Sequence, residues 1–152
     1  MANERPDDRF EREMLEAFRR AMASRSARDA ALTAMRLGDL YLDSDNYSDA
    51  LGFFIQASED DLGDALSDEE LGLVLVRTAK CHAALGDYVE ARSAITELDD
   101  LELDQDEDDV WAEANVVLAR IEIESGRYDE ALRAAQKAYE VLRTRPDSEL
   151  PA

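Results

Sequence analysis

The sequence is poor in cysteine, glycine and proline, and each shortage excludes something. With one cysteine in 152 residues no internal disulfide can form, so a reducing, intracellular setting is the simplest expectation. Six glycines and three prolines leave few helix breakers, which favours a mostly helical chain. No apolar run approaches the roughly 20 residues of a membrane-spanning helix, and the opening MANERPDDRFERE lacks the apolar core of a secretory signal. We therefore expect a cytoplasmic protein with no membrane partner.

Basic residues are scarce beside acidic ones, 17 against 37, for a formal net charge of -20. Only Lys80 and Lys137 are lysines. Such a surface repels the phosphates of nucleic acids and anionic lipids, so we expect no nucleic acid partner. Two explanations of the acidity stay open: adaptation of a whole proteome to high salt or a GC-rich genome, and a partner-specific acidic face. Residues 1–36 carry eight basic and seven acidic residues, so the acidity belongs to the rest of the chain.

Apolar periodicity and capping signals predict an all-α fold. Phe10, Met14 and Phe18 share one face of a first helix that runs to about Ala23 and either caps the first helix pair or serves as a dimerisation or docking helix. Ser26 and Ser67 open capping boxes for later helices. Segments 58–66 and 99–109 are predicted to be connectors. The expected organisation is 1–25 (N-terminal capping or docking helix), 26–145 (helix pairs at about 29–60, 68–99 and 107–144) and 146–152 (loose tail).

Three stretches, 37–57, 79–98 and 118–138, share one pattern of small, apolar and turn residues. In each, a turn is followed by a tyrosine and, three residues later, by an alanine; these alanines are Ala50, Ala91 and Ala131. A second column of small residues holds Gly38, Ala79 and Ala119. Small residues at both columns let two helices approach closely, because a larger side chain there would overpack the contact.

This pattern resembles the tetratricopeptide repeat (TPR) family, whose helix-turn-helix units stack into a solenoid. The resemblance covers about residues 30–145. It implies a short right-handed α-α superhelix with an N-terminal helix and three antiparallel helix pairs. The column alanines lie 41 and 40 residues apart, against a family period of about 34, so we expect extended connections between pairs. In the family an aromatic after the turn wedges between adjacent pairs, a role implied for Tyr47, Tyr88 and Tyr128.

Residues with reactive or metal-binding side chains fall at packing positions of the repeat. Cys81 shares a column with Leu40 and Ile121, and its neighbour His82 aligns with Tyr41 and Glu122, so neither is expected to be a nucleophile or metal ligand. The acidic run 104–109 lacks the central glycine and spaced glutamate of a calcium loop. The chain carries no phosphate loop, dinucleotide-binding glycine pattern or hydrolase elbow. We expect no enzyme, no cofactor and no metal site.

The resemblance assigns partner binding to a concave groove lined by the first helix of each pair. It implies an apolar groove with Lys80 and Arg120 near its middle, cations that suit a carboxylate or acidic side chain of a peptide. Alternatively, both cations simply pair with Asp39, Glu113 or Glu124. The predicted groove residues are Met35, Asp39, Leu42, Val76, Arg77, Lys80, Ala83, Val116, Arg120 and Ile123.

A second surface is predicted on the last helix, where Leu132, Gln136 and Tyr139 point away from their own pair. This face mediates self-association, or the chain is one region of a longer protein. The function expected from the resemblance is a non-enzymatic protein–protein interaction or scaffold module that binds a peptide or helix of a partner protein. The alternative is a ligand-sensing regulatory domain of a larger transcription regulator or signalling protein, homodimeric through the N-terminal or last helix.

Overall fold

The computed structural model describes residues 6–24, 26–103 and 108–143, and these residues are mostly helical with no strand among them. The helices are α1 (Pro6–Ala23), α2 (Ala27–Asp43), α3 (Tyr47–Ser58), α4 (Asp60–Asp64), α5 (Asp68–Ala84), α6 (Tyr88–Glu97), α7 (Asp108–Glu124) and α8 (Tyr128–Arg143). A single 3-10 turn at Leu98–Asp100 follows α6. The prediction of an all-α chain is confirmed over this range. None of these helices combines the length and apolarity needed to cross a membrane.

The chain divides into two compact units, residues 1–74 and 75–152, with the boundary inside α5. In the first unit α2 packs against α3, and α1 packs against α2. In the second unit α7 packs against both α6 and α8. The core of each unit lies between these helices and is built largely from alanine, valine and leucine.

Three helix-ending turns share one backbone structure. The residue in the left-handed region is Asp45 (φ 58°), Gly86 (φ 84°) or Gly126 (φ 75°). In the first turn the Asp45 N–H donates to the Leu42 carbonyl at 3.0 Å, and the next N–H donates to the Tyr41 carbonyl at 2.9 Å. The same pair of bonds recurs after α5 and α7. This is the Schellman arrangement, which satisfies carbonyls that a helix end would otherwise leave unpaired.

Both columns of small residues are buried, as the pattern predicted. Ala50, Ala79 and Ala91 are fully buried and Ala119 and Ala131 nearly so. The closest approach is at Gly38, where an added Cβ would lie 2.5 Å from a ring atom of Phe54. The glycine is therefore required by packing between α2 and α3.

Aromatic side chains join α1 to the first helix pair. The Phe53 ring stacks on Tyr41 at a centroid distance of 5.5 Å and meets the edge of Phe18 at 6.0 Å. The Tyr41 hydroxyl donates to the Glu11 carboxylate of α1, and burial together with this bond raises the pKa of Tyr41 to about 12. These contacts pack α1 against α2 and bring Phe18 against Phe53 of α3.

The segment 58–66 was predicted to be a connector without helical structure, and that prediction is wrong at α4. Asp60 adopts φ 49°, which turns the chain sharply after α3, and the Gly63 N–H then donates to the Glu59 carbonyl at 3.1 Å. A Cβ at Gly63 would lie 2.3 Å from the Ser58 carbonyl oxygen. The glycine, read from the sequence as a breaker, instead permits a tight helical turn because it has no side chain.

The capping boxes predicted from the sequence have different outcomes. At α5 the box is complete: the Ser67 N–H donates to Glu70 Oε1 at 2.9 Å, and the Glu70 N–H donates to Ser67 Oγ at 3.2 Å. At α2 Ser26 caps the helix by accepting from the Asp29 N–H at 3.3 Å. The pair proposed at Asp104 and Glu107 lies outside the described residues.

Candidate functional site

The predicted groove residues are divided between the two units. Met35, Asp39 and Leu42 lie on α2 in the first unit, and the other seven lie on α5 and α7, from Val76 onward. Three of the set are buried, namely Met35, Val76 and Ala83. The exposed members of the set are Lys80, Val116, Arg120 and Ile123. Within the predicted set, α7 and Lys80 therefore provide most of the exposed side chains that a partner could contact. The groove as a whole stays a prediction.

The two central cations are unpaired within their own unit. Neither Lys80 nor Arg120 forms an ion pair with Glu113, Glu124 or another described carboxylate of residues 75–152. The alternative that these cations pair with Glu113 or Glu124 is therefore not realised among these residues. Both charges are available to a ligand.

An outward stripe on α7 combines apolar and basic side chains. Val116 is 55% exposed and Ile123 is 52% exposed, and Arg120 lies between them on the same helix face. The spacing of four and then three residues is one face of an α-helix. On the inner side of α7, Val110, Val117 and Ile121 are buried. The helix is thus apolar on both sides, which an ordinary surface helix is not.

The predicted self-association residues lie on the outer face of α8. Leu132 and Tyr139 are 58% and 57% exposed, and Gln136 lies exposed between them. Tyr128, one turn before Leu132, is 68% exposed, so the wedge role that the resemblance implies for this tyrosine is not seen there. On the opposite side Ala131, Ala134 and Ala138 are buried as α8 packs against α7.

Cys81 and His82 are placed as the repeat columns predicted. Cys81 is a free, fully buried cysteine. The His82 side chain is mostly buried, and its Nδ1 lies 3.9 Å from Asp87 Oδ2, too far for a hydrogen bond. No set of three or more ligand-type side chains among the described residues is arranged to hold a metal ion.

A cluster of charged residues around Glu122 was not predicted from the sequence. This carboxylate is only 7% exposed, and it accepts hydrogen bonds from the Arg92 guanidinium of α6 and from Arg127 Nε at 2.6 Å. The bond from Arg92, together with the charges of both arginines, lowers the pKa of Glu122 despite its burial. The column alignment with Tyr41 and His82 indicated an edge position but named no partner, because Arg92 is 30 residues away in sequence.

Glu122 lies at a cavity of about 390 Å³ formed by α6, α7 and α8. Two more cations line it, Arg133 and Lys137, one helical turn apart on α8. The sequence signal that was present is their spacing, since two basic residues four positions apart on a predicted helix lie on one face. A second cavity of about 350 Å³ shares four lining residues with the first, Arg92, Asn115, Leu118 and Lys137.

Comparison with known proteins found no family model that matches the chain and no similar curated protein. The geometry of the surfaces described above is therefore what bears on function.

Proposed function

We propose that the protein is a non-enzymatic interaction module, built as a TPR-like solenoid, that binds a peptide segment of a partner protein. The bound segment carries a carboxylate between two apolar side chains. The exposed stripe of Val116, Arg120 and Ile123 on α7 is the observation that carries this proposal. The groove prediction drawn from the family resemblance supports the same surface independently.

The chemistry of the partner follows from the stripe. Arg120 has no ion pair with a described residue, so it can offer its full set of donors to a carboxylate. Val116 and Ile123 expose apolar surface to water unless a partner covers it. Covering that surface stabilises the complex by about 25 cal/mol per Å² of apolar area buried. A helical peptide with an acidic residue flanked by apolar ones at helical spacing satisfies both requirements.

A phage-displayed peptide library tests the proposal. Selection on the native protein should enrich peptides in which Asp or Glu is flanked by apolar residues. Binding of those peptides should be lost in the variant Lys80→Glu with Arg120→Glu, while helical circular dichroism is unchanged.

The matched control is Arg133→Glu with Lys137→Glu, which makes the same charge change on α8, away from the stripe. It should retain peptide binding within about twofold, a difference below 0.5 kcal/mol. Selected peptides without an acidic residue, or equal loss in both double variants, would contradict the proposal.

A second candidate function is self-association through α8. It is favoured by three large apolar residues exposed on one face of α8, Tyr128, Leu132 and Tyr139, with Gln136 between the last two, since single exposed apolar residues are normal but several on one face mark an interaction surface. Light scattering over a range of concentrations tests it: a dimer that becomes monomeric in Leu132→Glu supports self-association, and a native protein that stays monomeric refutes it.

A further inference from the structure

The cavity beside Glu122 gathers positive charge in a strongly acidic chain. Its lining includes Arg92, Arg127, Arg133 and Lys137, four of the 17 basic residues in the sequence. Glu122 and Glu130 are the acidic residues of the lining, which leaves a local excess of two positive charges. At physiological salt the screening length is about 8 Å, so a ligand inside the cavity responds to this local excess more than to the distant acidic surface.

Glu122, the buried carboxylate at the site, already pairs with two arginines. Both oxygens of Glu122 accept from arginines, one from Arg92 and one from Arg127, and the side chain is almost fully buried. Glu122 therefore acts as a positioning residue that holds two guanidinium groups at the cavity wall. Those guanidinium groups keep further donors, because each has five N–H bonds.

Arg133 and Lys137 supply the unneutralised charge. They are exposed, they face the same cavity one turn apart, and neither forms an ion pair within the described range of the chain. Two adjacent cations of this kind bind a doubly charged anionic group well, the arginine through its planar fork and the lysine as a point charge.

The adjoining cavity adds apolar and aromatic surface to the cations. It shares Arg92, Asn115, Leu118 and Lys137 with the first and adds Ile95, Ala114 and the single tryptophan, Trp111, together with Thr96 and Asp99. An anionic head at Lys137 would therefore have apolar and aromatic side chains in the same lining, and Asp99 is the one acidic residue there. The two volumes, about 390 and 350 Å³, lie in the range of small-molecule sites.

From this arrangement we infer that the α6–α7–α8 cavity is a binding site for a small organic dianion with an aromatic or apolar body. The anionic group, a phosphate or a pair of carboxylates, contacts Arg133 and Lys137, and the body lies against Leu118, Ile95 and Trp111. The site is separate from the α7 stripe proposed for peptides, and neither proposal requires the other.

Trp111 provides the assay, because it is the only tryptophan in the chain and lines the apolar part of the site. Its fluorescence is titrated with phenyl phosphate and with phthalate, which distinguish a phosphate head from carboxylates. Inorganic phosphate and benzyl alcohol serve as probes for the charge alone and the ring alone. At least one aromatic dianion should bind about tenfold or more tightly than inorganic phosphate or benzyl alcohol, and its affinity should fall as salt is added.

Variants assign the binding to the cavity. Arg133→Gln with Lys137→Gln should weaken the aromatic dianion at least about tenfold, the effect of losing one charge-assisted hydrogen bond. Arg133→Lys with Lys137→Arg, which keeps both charges, should stay within about threefold of the native protein. Lys80→Gln with Arg120→Gln makes the same charge change at the predicted peptide groove, on α5 and α7, and should leave dianion binding unaltered. Absence of binding by both dianions, binding no tighter than that of inorganic phosphate, or equal loss in the two glutamine variants would overturn the inference.

Discussion

Replacing Gly38 by alanine should separate helix propensity from packing in the first helix pair. Gly38 lies in the interior of α2, and a Cβ added there would lie 2.5 Å from Cε1 and 2.7 Å from both Cδ1 and Cζ of Phe54. Ordinary carbon–carbon contacts are about 3.5–4.0 Å, so the ring must move by about 1 Å. Phe54 is fully buried, which leaves it little room to do so.

Two opposing effects set the magnitude. Alanine is favoured over glycine in a helix interior by about 0.8–1.0 kcal/mol, whereas overpacking a well-filled core costs about 1–3 kcal/mol. Gly52 of α3 provides the matched control, because it is exposed and an added Cβ meets nothing within 4 Å. Gly52→Ala should therefore stabilise the protein by about 0.8–1.0 kcal/mol, and Gly38→Ala should be less stable than Gly52→Ala by about 1–3 kcal/mol.

Urea unfolding followed by circular dichroism measures both variants. A third variant, Phe54→Leu, removes the ring atoms that the new methyl group meets. In the double variant with Gly38→Ala, part of the packing cost should disappear, giving a favourable coupling energy of about 1 kcal/mol. If Gly38→Ala stabilises the protein as much as Gly52→Ala, the close approach at Gly38 does not constrain the helix pair and the reasoning fails.

Three further predictions concern the turns, the Glu122 cluster and the capping box. Asp45→Gly should raise the free energy of unfolding by about 0.5–1 kcal/mol in urea unfolding, because it relieves a left-handed residue; Gly86→Ala, the converse change, should lower it. Hydrogen bonds from Arg92 and Arg127 lower the pKa of Glu122 in the folded protein. The ionised Glu122 therefore contributes to stability above the pKa of about 4.3 that a glutamate has in the unfolded chain, and this contribution is lost as pH falls through the lowered pKa. The difference in urea midpoint between the native protein and Glu122→Gln should narrow on acidification; a constant difference would argue against the ionised cluster. Ser67→Ala should lower stability by about 0.5–2 kcal/mol through loss of the α5 cap, and no change in thermal midpoint would contradict that role.

Much of the fold could be predicted from local signals. The first helix ends at Ala23 as predicted, and the helical stretches predicted at about 29–60, 68–99 and 107–144 begin and end within about two residues of the observed helices, because periodic apolar residues and caps act over a few neighbouring positions. The α5 capping box was found for the same reason, since its two residues are three apart. The short helix α4 was missed because its formation depends on the backbone approach between Gly63 and Ser58, which no local pattern reveals.

The candidate binding surfaces were harder to predict from the sequence than the helices were. The groove implied by the family resemblance identified Arg120 as a residue of interest, yet its lack of an ion pair within its own unit depends on where every nearby carboxylate lies in space. The cation cavity was missed because its members come from α6, α7 and α8 and share no sequence motif. The net charge of -20 predicts an acidic surface and gives no indication of a local basic cluster.

The sequence by itself determined that this chain is helical, where its helices end, and which positions must be small. Those properties arise from backbone propensity, caps and left-handed turn residues, all of which act within one or two turns of the chain. Only the tertiary structure decided that Gly38 touches Phe54, that Val116 and Ile123 stay exposed, and that Glu122 holds two arginines. The physical reason is that burial and ion pairing depend on side chains brought together from distant positions.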